Sequence, residues 1–348
     1  MTRTRAAPRI RLRTVLPFVW LAAAAALAVW LLGRQQARLH ASERALSAAT
    51  WWLLPVLLLL EGASLLSYAE LVRTLLRSMG QHAPRGLLGR VVLAGTALGR
   101  SLPGGTTVAL AAVVSALRRA GLRGGQAAAA LAASGLLSAA VLALLLPLAA
   151  LLSLIGRHGG GVALGAAGMA VAVVATAAVV RPALRHPEAL GRLAGRLAAL
   201  VLRGPLRRRL DPATVGGTVE QAVRGLDDVA GDRRVLGRAA GWAAGNWLLD
   251  MAVLVLVAAT VGHGVPLEIV PLAYVAGQWI AALPLTPGGV GAVELAMTGV
   301  LTLAGAPSAA AGVTVLGWRL LSNYLPILVG LPLVPTLGAG ARVTDRSG

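Results

Sequence analysis

The residues of this sequence that could do chemistry are ionisable side chains placed inside apolar stretches. The clearest case is residues 287–294, Pro-Gly-Gly-Val-Gly-Ala-Val-Glu, which contain Pro287, Gly288, Gly289, Gly291 and Glu294. Proline removes a backbone donor and glycine admits left-handed backbone, so this pattern interrupts a helix. Unpaired backbone at membrane depth is tolerated only inside protein or beside a watery cavity. A broken helix followed by a carboxylate is therefore typical of a transport site.

Five more ionisable residues are expected at membrane depth, together with two amides that could pair with them: Glu61, Glu70, Arg100, Asp250, Arg319, Asn246 and Asn323. A charge at that depth costs about 2.5–3.5 kcal/mol on insertion scales, so these side chains should face the interior and pair. Arginine suits a lipid phosphate because its planar fork donates two hydrogen bonds at once. The carboxylates could bind a coupling proton or cation, and the amides could assist or pair.

A packing role is the alternative for each of these residues. Arg100 with Glu70, and Arg319 with Glu294, could be internal ion pairs that only fix the bundle. Glu70 could also meet Arg73 or Arg77 at helical spacing.

A second break of the same kind lies in the apolar stretch 91–117. It consists of Arg100, Pro103, Gly104 and Gly105. Arginines flank this stretch on both sides, which favours a re-entrant hairpin over a full crossing. Two such breaks that enter from opposite sides predict an inverted repeat. The half-helices that begin after Gly105 and Gly289 would add backbone donors for an anion. Chance is the competing explanation, since glycine and proline are abundant.

Composition places these residues in a polytopic membrane protein of the all-α class. The chain has 348 residues, of which 57% are hydrophobic and 13% charged, against about 25% charged in soluble domains. Several apolar runs reach the roughly 20 residues that cross a bilayer. We expect two broken elements, 91–117 and 269–304, and about six full spans at 15–32, 51–72, 126–155, 161–180, 239–261 and 309–334.

The arginines set the expected orientation. They account for a formal charge of +19, and they concentrate in loops on one predicted side, as the positive-inside rule expects of a plasma-membrane protein with both termini cytoplasmic. Nucleic-acid binding is the disfavoured explanation of that charge. The expected organisation is a basic N-terminus at 1–14, one membrane domain at 15–336 with a basic loop at 181–238, and a tail at 337–348.

The basic loop itself predicts an amphipathic helix. Its apolar stripe consists of Leu190, Leu193, Leu197 and Val201. Such a helix would lie on an anionic leaflet or pack on the base of the protein, and its periodicity favours neither.

The Pro-Gly-Gly-x-Gly-x-x-Glu pattern at 287–294 resembles the membrane, flippase-like domain of lysylphosphatidylglycerol synthases, the multiple peptide resistance factor family. The resemblance extends over roughly residues 14–336 and implies a lipid substrate. The soluble aminoacyl-transferase domain of that family has no counterpart among these 348 residues, so lipid aminoacylation is not expected. From the two breaks and the arginines beside them we expect the substrate-binding residues to be Arg100, Pro103, Gly104, Gly105, Pro287, Gly288, Gly289, Gly291, Glu294 and Arg319.

Absent residue types narrow the chemistry. Without cysteine, disulfides, thiol catalysis and Cys-ligated zinc are excluded. Without lysine, so are a P-loop and a Schiff base. We expect no cofactor and no metal site. Asp227, Asp228 and Asp232 do not match the Asp-Asp-x-x-Asp spacing of prenyl-transferring enzymes, so a solvated charged surface is the favoured interpretation.

The broken elements and the charges beside them favour a transporter, and the resemblance implies that it binds or flips an anionic phospholipid or a polyprenyl-phosphate-linked lipid. Two alternatives stay open: a membrane enzyme that uses a lipid-phosphate donor, and an accessory subunit of a cell-envelope glycosyl- or lipid-modifying system. The expected partner is an anionic lipid rather than nucleic acid, with a homo-oligomer or an envelope enzyme as further options.

Overall fold

A computed structural model describes residues 52–102, 105–153, 186–201, 231–261, 264–282 and 286–337, with residues 171, 213, 216, 217, 220 and 224 as isolated positions. All secondary-structure elements among these residues are helices, and no β-strand occurs in the described ranges. Within these described ranges, four helices are long and apolar enough to cross a membrane. The predicted all-α polytopic class is therefore confirmed.

The four long helices correspond to four of the six expected spans. They are α1 (Leu53–Ser78), α4 (Gly124–Ser153), α6 (Arg233–Val261) and a final compound span (Ser308–Leu337). The expected spans at 15–32 and 161–180 fall outside the described ranges, position 171 excepted. Large leucines face outward on these helices, for example Leu59, Leu144 and Leu151, as a lipid-facing surface requires.

The first break forms a helical hairpin of α2 (Arg85–Ser101) and α3 (Gly105–Arg119). Neither helix reaches the roughly 20 residues that span a bilayer. Gly95 lies beside Val113 and Gly99 beside Ala109, so the two helices run antiparallel. A Cβ atom on Gly105 would lie 2.5 Å from the carbonyl oxygen of Gly99, so only glycine permits this turn. Pro103 and Gly104 lie outside the described ranges.

The second break forms a matching hairpin of α7 (Val270–Ala282) and α8 (Ala292–Leu303). Gly277 lies against Met297 and Val293 of the returning helix. Between the two helices the chain turns through Gly288, Gly289 and Gly291, whose φ angles are +59°, +69° and +86°. Residues with a Cβ rarely adopt this left-handed backbone, so the glycines account for the shape of the tip.

The two hairpins approach from opposite ends of the bundle. Hairpin α2/α3 shares its core with the C-terminal part of α1, through Leu71 and Leu75, whereas hairpin α7/α8 shares its core with Leu57 near the N-terminal end of α1. Their tips meet, because a Cβ atom on Gly288 would lie 2.8 Å from the carbonyl oxygen of Arg100. This opposed arrangement is what an inverted repeat predicts.

Helices α1 and α6 form the scaffold on which both hairpins rest. They pack antiparallel along most of their length, with Leu57 in the same core as Val253 and Leu71 in the same core as Ala243. The amide of Asn246 donates to Ser64 Oγ at 2.8 Å and to the Ser64 carbonyl oxygen at 3.1 Å. Asn246, a predicted coupling residue, therefore joins α1 to α6.

The final span is irregular at its centre. It comprises α9 (Ser308–Arg319), a π-helical turn (Leu320–Tyr324), α10 (Leu325–Gly330) and a 3₁₀ segment (Leu331–Leu337). Single π-turns inside helices are frequent at functional sites. Proline has no N–H group, so Pro326 offers no bond to the carbonyl four residues earlier, which belongs to Ser322.

The predicted amphipathic helix is present as α5 (Pro187–Val201), and Leu193 of its apolar stripe is about half exposed, at 51%. Glu188 lies 3.9 Å from Arg192 and 3.5 Å from Arg224. Asp232 accepts hydrogen bonds from the backbone N–H groups of Arg234 and Val235, and so caps the start of α6. This cap gives Asp232 a structural role; Asp227 and Asp228 lie outside the described ranges.

Candidate functional site

The meeting point of the two hairpin tips brings together five ionisable side chains from five different elements: Glu61, Arg100, Asp250, Glu294 and Arg319. All but Arg100 and Glu294 are less than 9% exposed. We call these five residues the charged cluster. Buried charges are expensive unless paired, so the partners of each member define what the cluster can do.

Arg319 and Glu294 form an ion pair, as the packing alternative in the sequence analysis expected. Arg319 Nε lies 2.7 Å from Glu294 Oε1, and Arg319 Nη2 donates to the carbonyl oxygen of Gly288 at 2.8 Å. The other oxygen of Glu294 accepts the Gly291 N–H at 2.7 Å and so caps the start of α8. The ring of Tyr324 lies 5.9 Å from the Arg319 guanidinium carbon. Arg319 therefore ties the second hairpin tip to the final span.

Arg100 lies at the end of α2, next to the first hairpin tip. Its Nη1 donates to the Ser322 carbonyl, the group to which Pro326 can offer no N–H. Arg100 also lies within electrostatic range of Glu61 and Asp250. The alternative pairing of Arg100 with Glu70 is not formed, because Glu70 pairs with Arg73, as the other alternative expected, and with Arg85. A single helical turn separates Glu70 from Arg73, and this short separation decided the contact.

Asp250 is held by three donors from the second half of the bundle. Trp318 Nε1 donates to Oδ1 at 2.8 Å, and the Tyr274 hydroxyl donates to Oδ2 at 2.8 Å. The amide of Gln278 reaches Oδ2 at 3.3 Å. Tyr274 also packs edge-on against the ring of Trp318, with centroids 5.9 Å apart. These three hydrogen bonds join α6 to α7 and α9.

Glu61 differs from Asp250 because one of its neighbours is another acid. Its Oε2 accepts the Ser322 hydroxyl at 2.9 Å, and its carboxyl group is close enough to Asp250 for the two charges to interact. Two neighbouring carboxylates repel one another unless a proton or a cation lies with them.

The charges of the five groups in the cluster do not cancel. Three carboxyl groups and two guanidinium groups sum to −1 when all five are ionised. One proton or one monovalent cation between Glu61 and Asp250 would make the cluster neutral. Protonation of the pair thus sets the net charge at the hairpin tips.

Asn323 adds a donor without a partner in the structure. Its side chain is 4% exposed, and its Nδ2 makes no hydrogen bond. It points toward the second hairpin tip, since a Cβ atom on Gly288 would lie 3.6 Å from its amide. Buried donors are rarely left unpaired in proteins. An acceptor bound at the hairpin tips would satisfy it.

The remaining predicted residues take other positions. Asn246 and Glu70 lie away from the cluster, on the contact of α1 with α6 and near the C-terminal end of α1. The N–H of Gly105 bonds the Leu102 carbonyl, and that of Gly289 bonds the Thr286 carbonyl, so neither is free for an anion. Gly289 is buried and Gly291 turns the chain into α8. Pro287 begins the 3₁₀ turn Pro287–Gly289 at the tip.

Four residues of the site were missed from the sequence. They are Ser322, Tyr274, Gln278 and Trp318. Tyr274 and Gln278 could have been recognised from the sequence, because they are polar residues four positions apart in an apolar helix and therefore share one face. Ser322 and Trp318 could not have been recognised in this way, because serine and tryptophan are common in membrane helices.

Comparison with known proteins agrees with this architecture. Residues 16–330 match the protein family described as Lysylphosphatidylglycerol synthase TM region, which confirms the resemblance found at 287–294. Over 88 residues the chain is 36% identical to the protein named Glycosyltransferase AglD of Haloferax volcanii. That similarity covers 24% of the chain and spans only 14% of the archaeal protein.

Proposed function

Because the chain belongs to the lysylphosphatidylglycerol synthase transmembrane-region family, we propose that it binds an anionic phospholipid or a polyprenyl-phosphate-linked lipid and moves it between leaflets. The observation that carries this proposal is the charged cluster at the meeting point of two opposed hairpin tips. Half-crossing elements that meet in the bundle are the usual frame of a transport pathway.

The proposed headgroup contacts are Arg100, Arg319 and the amide of Asn323. In the structure Arg319 is held by Glu294 and the Gly288 carbonyl. A lipid phosphate offers the same acceptor geometry as a carboxylate and could replace Glu294 as the partner. The unpaired Asn323 Nδ2 would then gain an acceptor. We infer a substrate with a phosphate on this basis.

Glu61 and Asp250 are proposed to couple this binding to a proton or a cation. Adding one positive charge to the pair neutralises the cluster, which favours an incoming anion by simple charge balance. The arginine bias supports a plasma-membrane location with both termini in the cytoplasm.

The experiment is lipid scrambling in liposomes that contain the purified protein. Dithionite bleaches fluorescent phosphatidylglycerol in the outer leaflet only, so the bleached fraction reports exchange between leaflets. We expect more than half of the label to be bleached with the protein present, and a slower rate for Arg100→Gln and Arg319→Met. Arg90→Gln, an exposed arginine of the same α2 helix, is the matched control. No exchange and no binding of any anionic lipid would refute the proposal.

A second candidate has one observation in its favour. The similarity to part of a protein named a glycosyltransferase supports an accessory role in a system that transfers sugars from lipid carriers. In that case the protein should co-purify with an enzyme of the envelope, and Glu294→Ala should leave the phenotype of the cell unchanged.

A further inference from the structure

A cleft that no residue of the charged cluster lines has the composition of a lipid headgroup site. It lies beside the C-terminal half of α1, between α1, the start of α2 and α6, and has a volume of about 400 Å³. Its polar wall is formed by Glu70, Arg73 and Arg85, and its apolar wall includes Leu66 and Trp242. This combination of a polar end and an apolar wall matches an amphiphile rather than a soluble ion.

The polar wall carries a surplus of positive charge. Arg73 Nη1 lies 2.9 Å from Glu70 Oε2, and Arg85 Nε lies 2.7 Å from Glu70 Oε1. One carboxylate is thus shared by two guanidinium groups, which leaves a formal charge of +1. By contrast, the charged cluster at the hairpin tips has no such surplus. The charge of the cleft therefore matches a monoanionic phosphodiester.

The two arginines also retain unused donors. Arg73 Nε is buried and makes no hydrogen bond, and no hydrogen bond joins the Nη groups of Arg85 to another described residue. A guanidinium group donates through five N–H bonds, so each arginine can hold Glu70 and a phosphate at the same time. The side chain of Arg85 is 74% exposed and that of Arg73 14%, so Arg85 is the more accessible of the two arginines that line the cleft.

The apolar wall continues toward the lipid-facing surface. Leu66 is 63% exposed and Trp242 37% exposed, and both lie on the outside of the bundle. Tryptophan is enriched at the level of lipid headgroups, where its ring meets acyl chain and its N–H meets water. An acyl chain that leaves a headgroup at Arg73 would run along these two side chains.

We propose that this cleft binds the headgroup phosphate of an anionic phospholipid from the leaflet at which α1 ends. The inference rests on the proposed function in taking an anionic lipid as the ligand, but it does not require translocation. A lipid held here would be concentrated next to the first hairpin, whose α2 begins with Arg85.

The test uses quenching of Trp242 by brominated lipids in nanodiscs. The contribution of Trp242 is the difference in fluorescence between the wild type and Trp242→Phe, since seven other tryptophans are present. Brominated phosphatidylglycerol should quench this contribution more strongly than brominated phosphatidylcholine. Each of Arg73→Gln and Arg85→Gln should lower the preference about fivefold, given the usual contribution of one basic residue to anionic-lipid binding.

Glu70→Gln gives the sharpest control, because it acts in the opposite direction. It removes the carboxylate that Arg73 and Arg85 share and raises the local charge to +2, so the preference for the anionic lipid should increase. An ion triad that serves packing alone would give no increase. Arg90→Gln, on the exposed side of α2, should leave the preference unchanged.

Three results would overturn the inference. Equal quenching by the two lipids in the wild type would mean that ordinary boundary lipid occupies the cleft. An unchanged preference in the arginine variants would place recognition elsewhere. A response of Trp242 to inorganic phosphate in phosphatidylcholine nanodiscs, with the same arginine dependence but no lipid preference, would indicate a site for free phosphate. A scrambling assay that fails while the preference persists would refute translocation and leave this site intact.

Discussion

The ion pair of Glu294 and Arg319 offers the most direct test of how the site is held together. Arg319 is 3% exposed, and its charge is balanced by Glu294 at 2.7 Å. Glu294→Gln removes the charge but keeps an oxygen that can accept the Gly291 N–H, so the cap of α8 survives. The substitution therefore isolates the loss of the buried charge pair.

The size of the effect follows from burial. Removing one partner of a buried ion pair costs about 3–5 kcal/mol, because the other charge is left uncompensated. This loss is a large part of a typical total stability of about 5–15 kcal/mol. Arg319→Met should cost less, about 1–3 kcal/mol, because the Glu294 side chain keeps its backbone donor and is more exposed. The double variant removes both charges and should cost less than Glu294→Gln alone.

Steric trapping in bicelles would measure the free energy of unfolding of all four proteins in the cycle. We expect a coupling energy of about 2–3 kcal/mol between the two positions. Additive losses would refute the reasoning, since they would mean that the two charges do not stabilise one another.

The same four proteins separate a packing role from a functional role. If the pair serves packing alone, the double variant should recover scrambling together with stability. If Arg319 also contacts the lipid phosphate, stability should recover while scrambling stays low.

Three further predictions concern the turn, the acid and the topology. Gly288→Ala should destabilise the protein by about 1–3 kcal/mol, because its φ is +59° and its Cβ would approach the Arg100 carbonyl at 2.8 Å; Gly299→Ala, in open space on α8, should be neutral in the same steric-trapping assay. Asp250→Ala should cost at least about 3 kcal/mol, since it leaves a tyrosine hydroxyl and an indole N–H unpaired in the core; a near-neutral free energy of unfolding would contradict this. In intact cells, an impermeant thiol reagent should label Leu267→Cys but spare Arg123→Cys in this cysteine-free chain, and labelling of both would exclude hairpins that open to opposite sides.

The fold class and the two hairpin tips could be predicted because they depend on local rules. Apolar runs of bilayer length become helices, since lipid offers no partner for an unpaired backbone. The sequence predicted a break at glycines 288, 289 and 291 because glycine admits left-handed backbone, and all three adopt a positive φ. Helix ends were less accurate: α6 begins at Arg233 rather than Ala239, because polar residues can extend a helix beyond the lipid.

The pairing of charges depended on the distance between the residues in sequence. Glu70 and Arg73 are one helical turn apart, so the geometry of the helix brings their side chains together. Arg100 instead donates to the carbonyl oxygen of Ser322. Asn246 likewise met α1 through Ser64, a contact that no local rule contains. A polar residue in an apolar helix can face the centre of the bundle or a neighbouring helix. Only the packing of the helices determines which of the two it contacts.

The sequence by itself therefore determined that this is a helical membrane protein with two proline- and glycine-broken elements and a small set of charges in apolar surroundings. The tertiary structure decided that the two tips meet, and that Glu61 shares its surroundings with Asp250, which lies 189 positions later in the chain. The physical reason is the separation in sequence over which each kind of interaction acts. Backbone conformation follows from neighbouring residues, whereas the partner of a buried charge follows from how whole helices pack.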